Sequence, residues 1–206
     1  MLMKLYSRQA RCPAGFFGRF FMARIFEKGN AALNMLMLER VAPKDGDHIL
    51  EIGFGGGWCI KFMAGALTQG RVEGIDTSEA MLRAAQKRNR QDIASGKVTL
   101  VHGDFDHAEY PQGSFDTVCT ANTIYFWPDQ QATLNKIHSI LKPGGRLLLA
   151  FVDKSKIQAM GLDMTVFTPV SLQEAREMLD GAGFSSVEHH EVPKPPGVMF
   201  CMEALK

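Results

Sequence analysis

The chain has 206 residues, 46% hydrophobic and 22% charged, with 23 basic against 22 acidic side chains, a formal charge of +1 and a pI near 7.7. Such a chain can bury one sizeable core as a single domain, and it carries neither the strong positive field of a nucleic-acid binder nor an apolar run long enough to cross a membrane. Four widely spaced cysteines, Cys12, Cys59, Cys119 and Cys201, form no metal-binding pattern, so no metal is expected and buried free thiols in a reducing cytoplasm are the default.

Charge is uneven along the chain. Residues 1–40 hold seven basic groups against Glu27 and Glu39, a net +5, which leaves −4 for the remainder. Within them Phe16, Phe17, Phe20, Phe21 and Phe26 sit beside Arg19 and Arg24. Three roles suit this stretch: a helical cap over 1–44 that covers a ligand site, a membrane-surface helix through residues 1–28 that admits a lipid-soluble ligand, and a transit peptide, acid-free over 1–26 but short of Ser. Arg19 and Arg24 interrupt the apolar stretch and argue against a secretory signal.

Next in the chain, His48-Ile49-Leu50-Glu51-Ile52 reads as a short buried strand that breaks into Gly53-Phe54-Gly55-Gly56-Gly57, with Ala64, Ala66 and Leu67 on a helix that packs back onto it. Strand, glycine turn and helix start form a nucleotide-binding unit and point to an adenine cofactor. Glycines suit that task because a side chain would keep a flat ligand off the backbone and because such turns often need positive φ. A plain strand-to-helix turn is the other reading. A pyrophosphate calls for G-x-G-x-x-G, and Trp58 stands where the third glycine would be, so the spacing fits a dinucleotide poorly.

The segment 71–76 is the next parallel strand and ends in Asp76, placed to accept from ribose hydroxyls. It also suits a helix N-cap, since Thr77, Ser78 and Glu79 favour a helix start; both readings hold if Ser78 caps and Asp76 binds. A third strand, 97–105, finishes in Asp104 and Phe105. Asp104 either accepts from an adenine amino group, with Phe105 against the base, or serves an ordinary strand-end turn.

A fourth strand, 115–122, leads into the aromatic loop 123–129. A helix over 129–142 is stopped by Pro143-Gly144-Gly145, and 146–151 forms a fifth strand. The connection 153–170 is long, so either it lines the ligand site with Met160, Met164 and Phe167 or it is a helix-containing connector. Ser171-Leu172-Gln173-Glu174 opens a helix with a capping box, ended by Gly181 or Gly183. Two last strands, 184–191 and 197–204, joined through 193–197, predict a hairpin at the sheet edge.

Taken in order, LEIGFGGG, GIDTSEAML, GDF, FDTVCTANTIYFWPD and LKPGGRLLLAF resemble the class I S-adenosylmethionine-dependent methyltransferases, especially small bacterial ones related to ubiquinone-biosynthesis C-methyltransferases. The resemblance covers 48–152. It implies a Rossmann-like α/β fold: a mostly parallel seven-stranded sheet with an antiparallel last strand, helices on both faces and an N-terminal helical cap. The single domain 1–206 would divide into the cap (1–44), a cofactor-binding half (45–152), and a substrate loop with the C-terminal hairpin (153–206).

The implied cofactor is S-adenosyl-L-methionine, whose sulfonium carries no phosphate and so agrees with the glycine spacing. By the same resemblance Glu51, Gly53, Gly55 and Gly57 hold its methionine part, Asp76 takes the ribose hydroxyls, and Thr77 flanks the adenine. Asp104 and Phe105 recognise the adenine, and Ala121 and Asn122 lie beside the cofactor and face the acceptor. The acceptor is expected to be a small apolar or aromatic metabolite. The cap's aromatics would help build its pocket, and basic groups there would pair with the cofactor carboxylate.

No residue declares itself a general base, and His102, His107, His189 and His190 are undistinguished. Tyr125 is the candidate catalytic group, although Phe126 and Trp127 beside it would also suit a packed lid. Asn122 is not followed by Pro-Pro-aromatic, which argues against a nucleic-acid base as acceptor. Two other functions remain open on this sequence: an NAD-type oxidoreductase on the same sheet, and a non-catalytic cofactor-binding regulator.

Overall fold

The apolar runs read from the sequence pair in parallel as β1 (His48–Ile52), β2 (Arg71–Asp76), β3 (Val98–His102), β4 (Phe115–Ala121) and β5 (Leu141–Val152) in a computed structural model that describes residues 30–193 and 197–206. The basic aromatic segment and the centre of the last hairpin's connection lie outside those residues. Every residue of β1 is buried, as a central strand covered on both faces requires.

Two further strands, β6 (Ser185–Glu191) and β7 (Met199–Leu205), complete a seven-stranded sheet of order β3-β2-β1-β4-β5-β7-β6. The predicted edge hairpin is present, with its second strand on the inside. β7 runs antiparallel against β5, from Arg146↔Leu205 to Val152↔Met199, and β6 is outermost. The burial follows: β7 carries Phe200, Cys201 and Met202 inside, whereas β6 is mostly exposed.

The sequence places a break at Pro143-Gly144-Gly145 and starts the fifth strand at Arg146. In the structure β5 begins at Leu141, and the three residues form a bulge across which the register against β4 shifts from Phe115↔Leu141 to Thr117↔Arg146. Gly144 has φ 75°, and a side chain on Gly145 would meet the Lys142 carbonyl at 2.9 Å. The glycines bend the strand rather than end it.

Helices cover both faces. On one lie α1 (Ala31–Val41), α2 (Trp58–Ala66), α3 (Glu79–Arg88) and the short α4 (Arg90–Ala94); on the other, α5 (Gln130–Ile140), α6 (Lys154–Ala159) and α7 (Leu172–Gly181). Several of their starts carry side-chain caps, Ser78 and Ser171 where the sequence indicates them and Asp129 in addition. Ser78 Oγ accepts from Met81 N–H, Asp129 from Ala132 N–H, and Ser171 with Glu174 makes the reciprocal capping box.

α1, the described part of the predicted cap, lies on the sheet and buries Leu33, Met37, Leu38 and Val41. It is fastened there by charge. Glu203 on β7 receives Arg146 Nη1 at 3.0 Å and Arg40 Nη2 at 3.3 Å, and Arg146 also donates to the Val41 carbonyl. Removing Arg146 leaves Glu203 with Arg40 as its remaining arginine and takes a donor from the Val41 carbonyl. Arg146→Met is therefore expected to lower stability by about 2 kcal/mol, read from the midpoint of a urea transition whose slope is unchanged.

Candidate cofactor and acceptor site

Strand order reverses at β1: β2 and β3 lie to one side, β4 and β5 to the other. Connections leaving the carboxyl ends there diverge and open a crevice. A cavity of about 320 Å³ occupies it, within the range of small-ligand sites.

The glycine turn forms its floor. Gly53, Gly55 and Gly57 have φ of 74°, 52° and 72°, so positive φ is one correct reason for glycine at these places. The other reason read from the sequence, clearance for a ligand, needs correcting at two of them. A Cβ on Gly53 would lie 2.4 Å from Thr123 Cγ2, and one on Gly57 would lie 2.6 Å from Ala85 Cβ and 2.7 Å from Asn89 Nδ2. These two glycines make room for other parts of the protein. Gly55 alone faces open space.

Of the cofactor-binding residues read from the sequence, Glu51, Gly53, Gly55, Asp76, Thr77, Asp104, Phe105, Ala121 and Asn122 line the cavity, and Gly57 does not. Tyr125 lines it too. From the 153–170 connection come Ile157, Met160, Leu162 and Phe167, while Met164 stays outside.

Asp76, at the tip of β2, ties the turn down. One carboxylate oxygen accepts Gly55 N–H at 2.8 Å and the other accepts Ser78 N–H at 2.8 Å, while Ser78 itself caps α3. Burial pushes the Asp76 carboxyl above its ordinary range, against the pull of the Ser78 and Gly55 N–H groups and of His102.

Glu51 is the more unusual group. Its side chain is 3% exposed, and Oε2 has no hydrogen-bond partner among the described residues. Burial above all, with the Asp76 charge behind it, pushes its carboxyl well above the usual carboxylate range; the Cys59 thiol and Ile60 N–H only partly offset this. A buried acceptor left unsatisfied costs free energy unless a ligand completes it.

Asn122 ends β4 in the left-handed region at φ 58°, which Asn tolerates better than most residues. Its side-chain oxygen accepts from the Tyr125 hydroxyl at 2.9 Å, and that hydroxyl accepts in turn from Val152 N–H. Tyr125 is 3% exposed, and burial raises its phenol further above neutrality.

Phe105 reaches the cavity little. It is 5% exposed, stacked on Tyr110 at 5.9 Å between centroids, with the Lys136 ammonium 4.8 Å from its ring centre. The chain turn that carries Phe105 forms the wall there, with Gly103, Asp104 and Asp106.

A methyltransferase-domain family model matches residues 49–145, the stretch holding the glycine turn, both strand-end acids and the Asn122 turn. The methyltransferase YdaC of Bacillus subtilis strain 168 is 34% identical over 117 residues, covering 57% of this chain and 62% of YdaC. A demethylmenaquinone methyltransferase of Oceanobacillus iheyensis is 30% identical over 112 residues, covering 54% of this chain and 47% of that enzyme. The chain thus spans less than two thirds of these curated relatives. A solved structure of an S-adenosylmethionine-dependent methyltransferase from Aquifex aeolicus superposes with a TM-score of 0.69 at 19% identity, covering 88% of this chain and 95% of that one. This chain has the class I S-adenosylmethionine-dependent methyltransferase fold and is related to small bacterial methyltransferases.

Within that fold several wall residues escaped sequence reasoning. Trp58, noticed only as a missing glycine, opens α2 and lines the cavity with Cys59; Asn30, Asn34, Met81 and Leu162 line it from elsewhere. Their positions follow from packing between distant segments. Met81 alone had a local signal, three residues beyond the Ser78 cap.

Two outcomes follow for this methyltransferase fold. Gly57→Ala adds a side chain at positive φ against Ala85 and Asn89 and is expected to cost about 2–4 kcal/mol in urea unfolding. Glu51 keeps its proton in the folded chain at pH values where the unfolded chain, with a carboxyl near 4.5, has released it. Its contribution is complete below that value and is lost as pH rises through the raised native pKa. Ligand-free Glu51→Gln should therefore gain stability over the unsubstituted protein as pH climbs from 4.5 to 8, measured as paired melting temperatures.

Proposed function

We propose that this chain binds S-adenosylmethionine and transfers its methyl group to a small apolar or aromatic acceptor, releasing S-adenosylhomocysteine. The observation that carries the reading is the buried, unpartnered Oε2 of Glu51 at the cavity. A carboxylate in that state suits a cation, and the cofactor's α-ammonium is one. The other groups fit the same ligand. Asp76 retains acceptor capacity for ribose hydroxyls beyond its two backbone bonds, and Asp104 can accept from an adenine amino group. Gly53 and Gly55 border the methionine part, Thr77 and the Phe105 turn the adenine, and Ala121 with Asn122 the methyl end.

When bound, the cofactor supplies a methyl group on a positively charged sulfur that leaves readily. The residues' share is to orient the acceptor and exclude water. Trp127, Ile157, Leu162 and Phe167 give that end apolar walls, which supports an apolar or aromatic acceptor. Tyr125 acts as a positioning residue in this reading, since its hydroxyl is engaged by Asn122 and Val152. The described cavity wall holds no Lys, Arg or His. In this reading basic groups of the 1–44 cap would pair with the cofactor carboxylate, and its described residues Asn30 and Asn34 border the cavity.

Titration calorimetry tests the cofactor. S-adenosylmethionine is expected to bind the unsubstituted chain, and Asp76→Ala to weaken it about tenfold or more. Equal binding by both would refute the ribose assignment, and no binding by the unsubstituted chain would refute the function. S-adenosylhomocysteine release from a metabolite pool, with mass identification of the product that gains one methyl, then names the acceptor.

A further inference from the structure

The wall that carries Asp104 is a single short turn. Asp104 Oδ1 accepts Asp106 N–H at 3.0 Å and opens a 3-10 helix, Phe105–His107, which closes through Ala108 N–H on the Asp104 and Phe105 carbonyls. A turn this short has few bonds of its own to hold it.

Lys136 supplies the missing ones. It projects from α5 so that Nζ lies 2.5 Å from the Phe105 carbonyl, 3.0 Å from that of Asp106 and 2.6 Å from that of Ala108. Three N–H donors meet three carbonyls, and the same ammonium sits 4.8 Å from the Phe105 ring centre. One turn earlier on α5, Thr133 Oγ1 lies 2.7 Å from Asp106 Oδ1. Two side chains at i and i+3 of one helix therefore grip successive residues of the turn. Partial burial of the ammonium lowers the Lys136 pKa, while Asp106, Asp104 and Glu109 pull it up. Lys136 does not line the cavity.

We propose that Lys136 is the positioning residue for base recognition: by binding three carbonyls of the Phe105–Ala108 segment to α5, it fixes where the Asp104 carboxylate stands and so sets the preference for a base bearing an exocyclic amino group. The inference rests on the proposed cofactor. A planar guanidinium cannot aim three donors at three convergent carbonyls as an ammonium does, so Arg is only a partial substitute.

Calorimetry with S-adenosylhomocysteine and S-inosylhomocysteine, which carries oxygen in place of the amino group, tests it. The unsubstituted chain is expected to favour the adenosyl ligand about tenfold or more. Lys136→Met should remove most of that preference, chiefly by weakening the adenosyl ligand, and Lys136→Arg should leave an intermediate ratio. A loosening of the whole fold would weaken both ligands together and leave the ratio intact. An unchanged ratio in Lys136→Arg and in any folded Lys136→Met overturns the inference, as does an unsubstituted chain that binds the two ligands equally. Failure of the unsubstituted chain to bind either ligand would instead overturn the proposed function itself.

Discussion

The Asp76 carboxylate, shared between Gly55 N–H and Ser78 N–H, is the constraint on which the cavity depends. Gly55 belongs to the turn after β1, and Ser78 starts the helix after β2, so one acid at a strand tip sets the distance between two separate crossovers. Ser78 N–H lies at the unpaired start of α3 and Gly55 N–H in the turn ahead of α2, so the acid supplies each with a partner from outside its own segment. The acid therefore does structural work while keeping acceptor capacity on the cavity side. Gly53 N–H reaches the Ile75 carbonyl at 2.7 Å just below, extending the β1–β2 ladder to the edge of the turn. The floor is rigid because the sheet continues into it.

The same site keeps a poorly solvated carboxyl in its protonated form. Glu51 lies one residue before the end of β1 in a strand buried throughout, and the Asp76 charge nearby works against its ionisation. A core optimised for stability alone would place an apolar side chain at this position. The carboxyl is tolerated because it stays protonated, and its unpaired oxygen is what a ligand can meet. Cys59 is drawn into the same arrangement: burial and the nearby Glu51 charge hold its thiol protonated, so it behaves as a small packed donor.

Where signals are local, the sequence revealed them. β1 and β2 are short strands ended by glycine or acid, and the caps Ser78 and Ser171 announce their helices within four residues. The acids at the strand tips were legible because parallel strands bring their carboxyl ends to one side. What the sequence hid depends on contacts between distant segments. Beside their positive φ, Gly53 must also be glycine for Thr123, and Gly57 for Ala85 and Asn89, partners that no local window contains. Pro143-Gly144-Gly145 looks like a stop, and only the pairing of Leu141 with Phe115 across it shows that the strand began earlier. Phe105 had the spacing of a base-stacking aromatic, yet its contacts with Tyr110 and Lys136 turn most of the ring into the core.

The two ends of the cavity are built on opposite principles, and Asn122 marks the boundary. Toward β2 and β3 the wall carries the carboxyl groups of Glu51, Asp76, Asp104 and Asp106, which hold a polar ligand by direction, with Trp58 and Met81 beside them. Beyond β4 it is made of Trp127, Leu162 and Phe167, which hold a ligand by shape and by excluding water. Asn122 takes the left-handed conformation so that the chain can turn from one region to the other, and Tyr125 locks that turn by bridging it to Val152 on β5. Loss of the Tyr125 hydroxyl would leave Val152 N–H and the Asn122 oxygen without a buried partner. The hydroxyl thus holds the end of β4 against β5 where the two parts of the cavity meet.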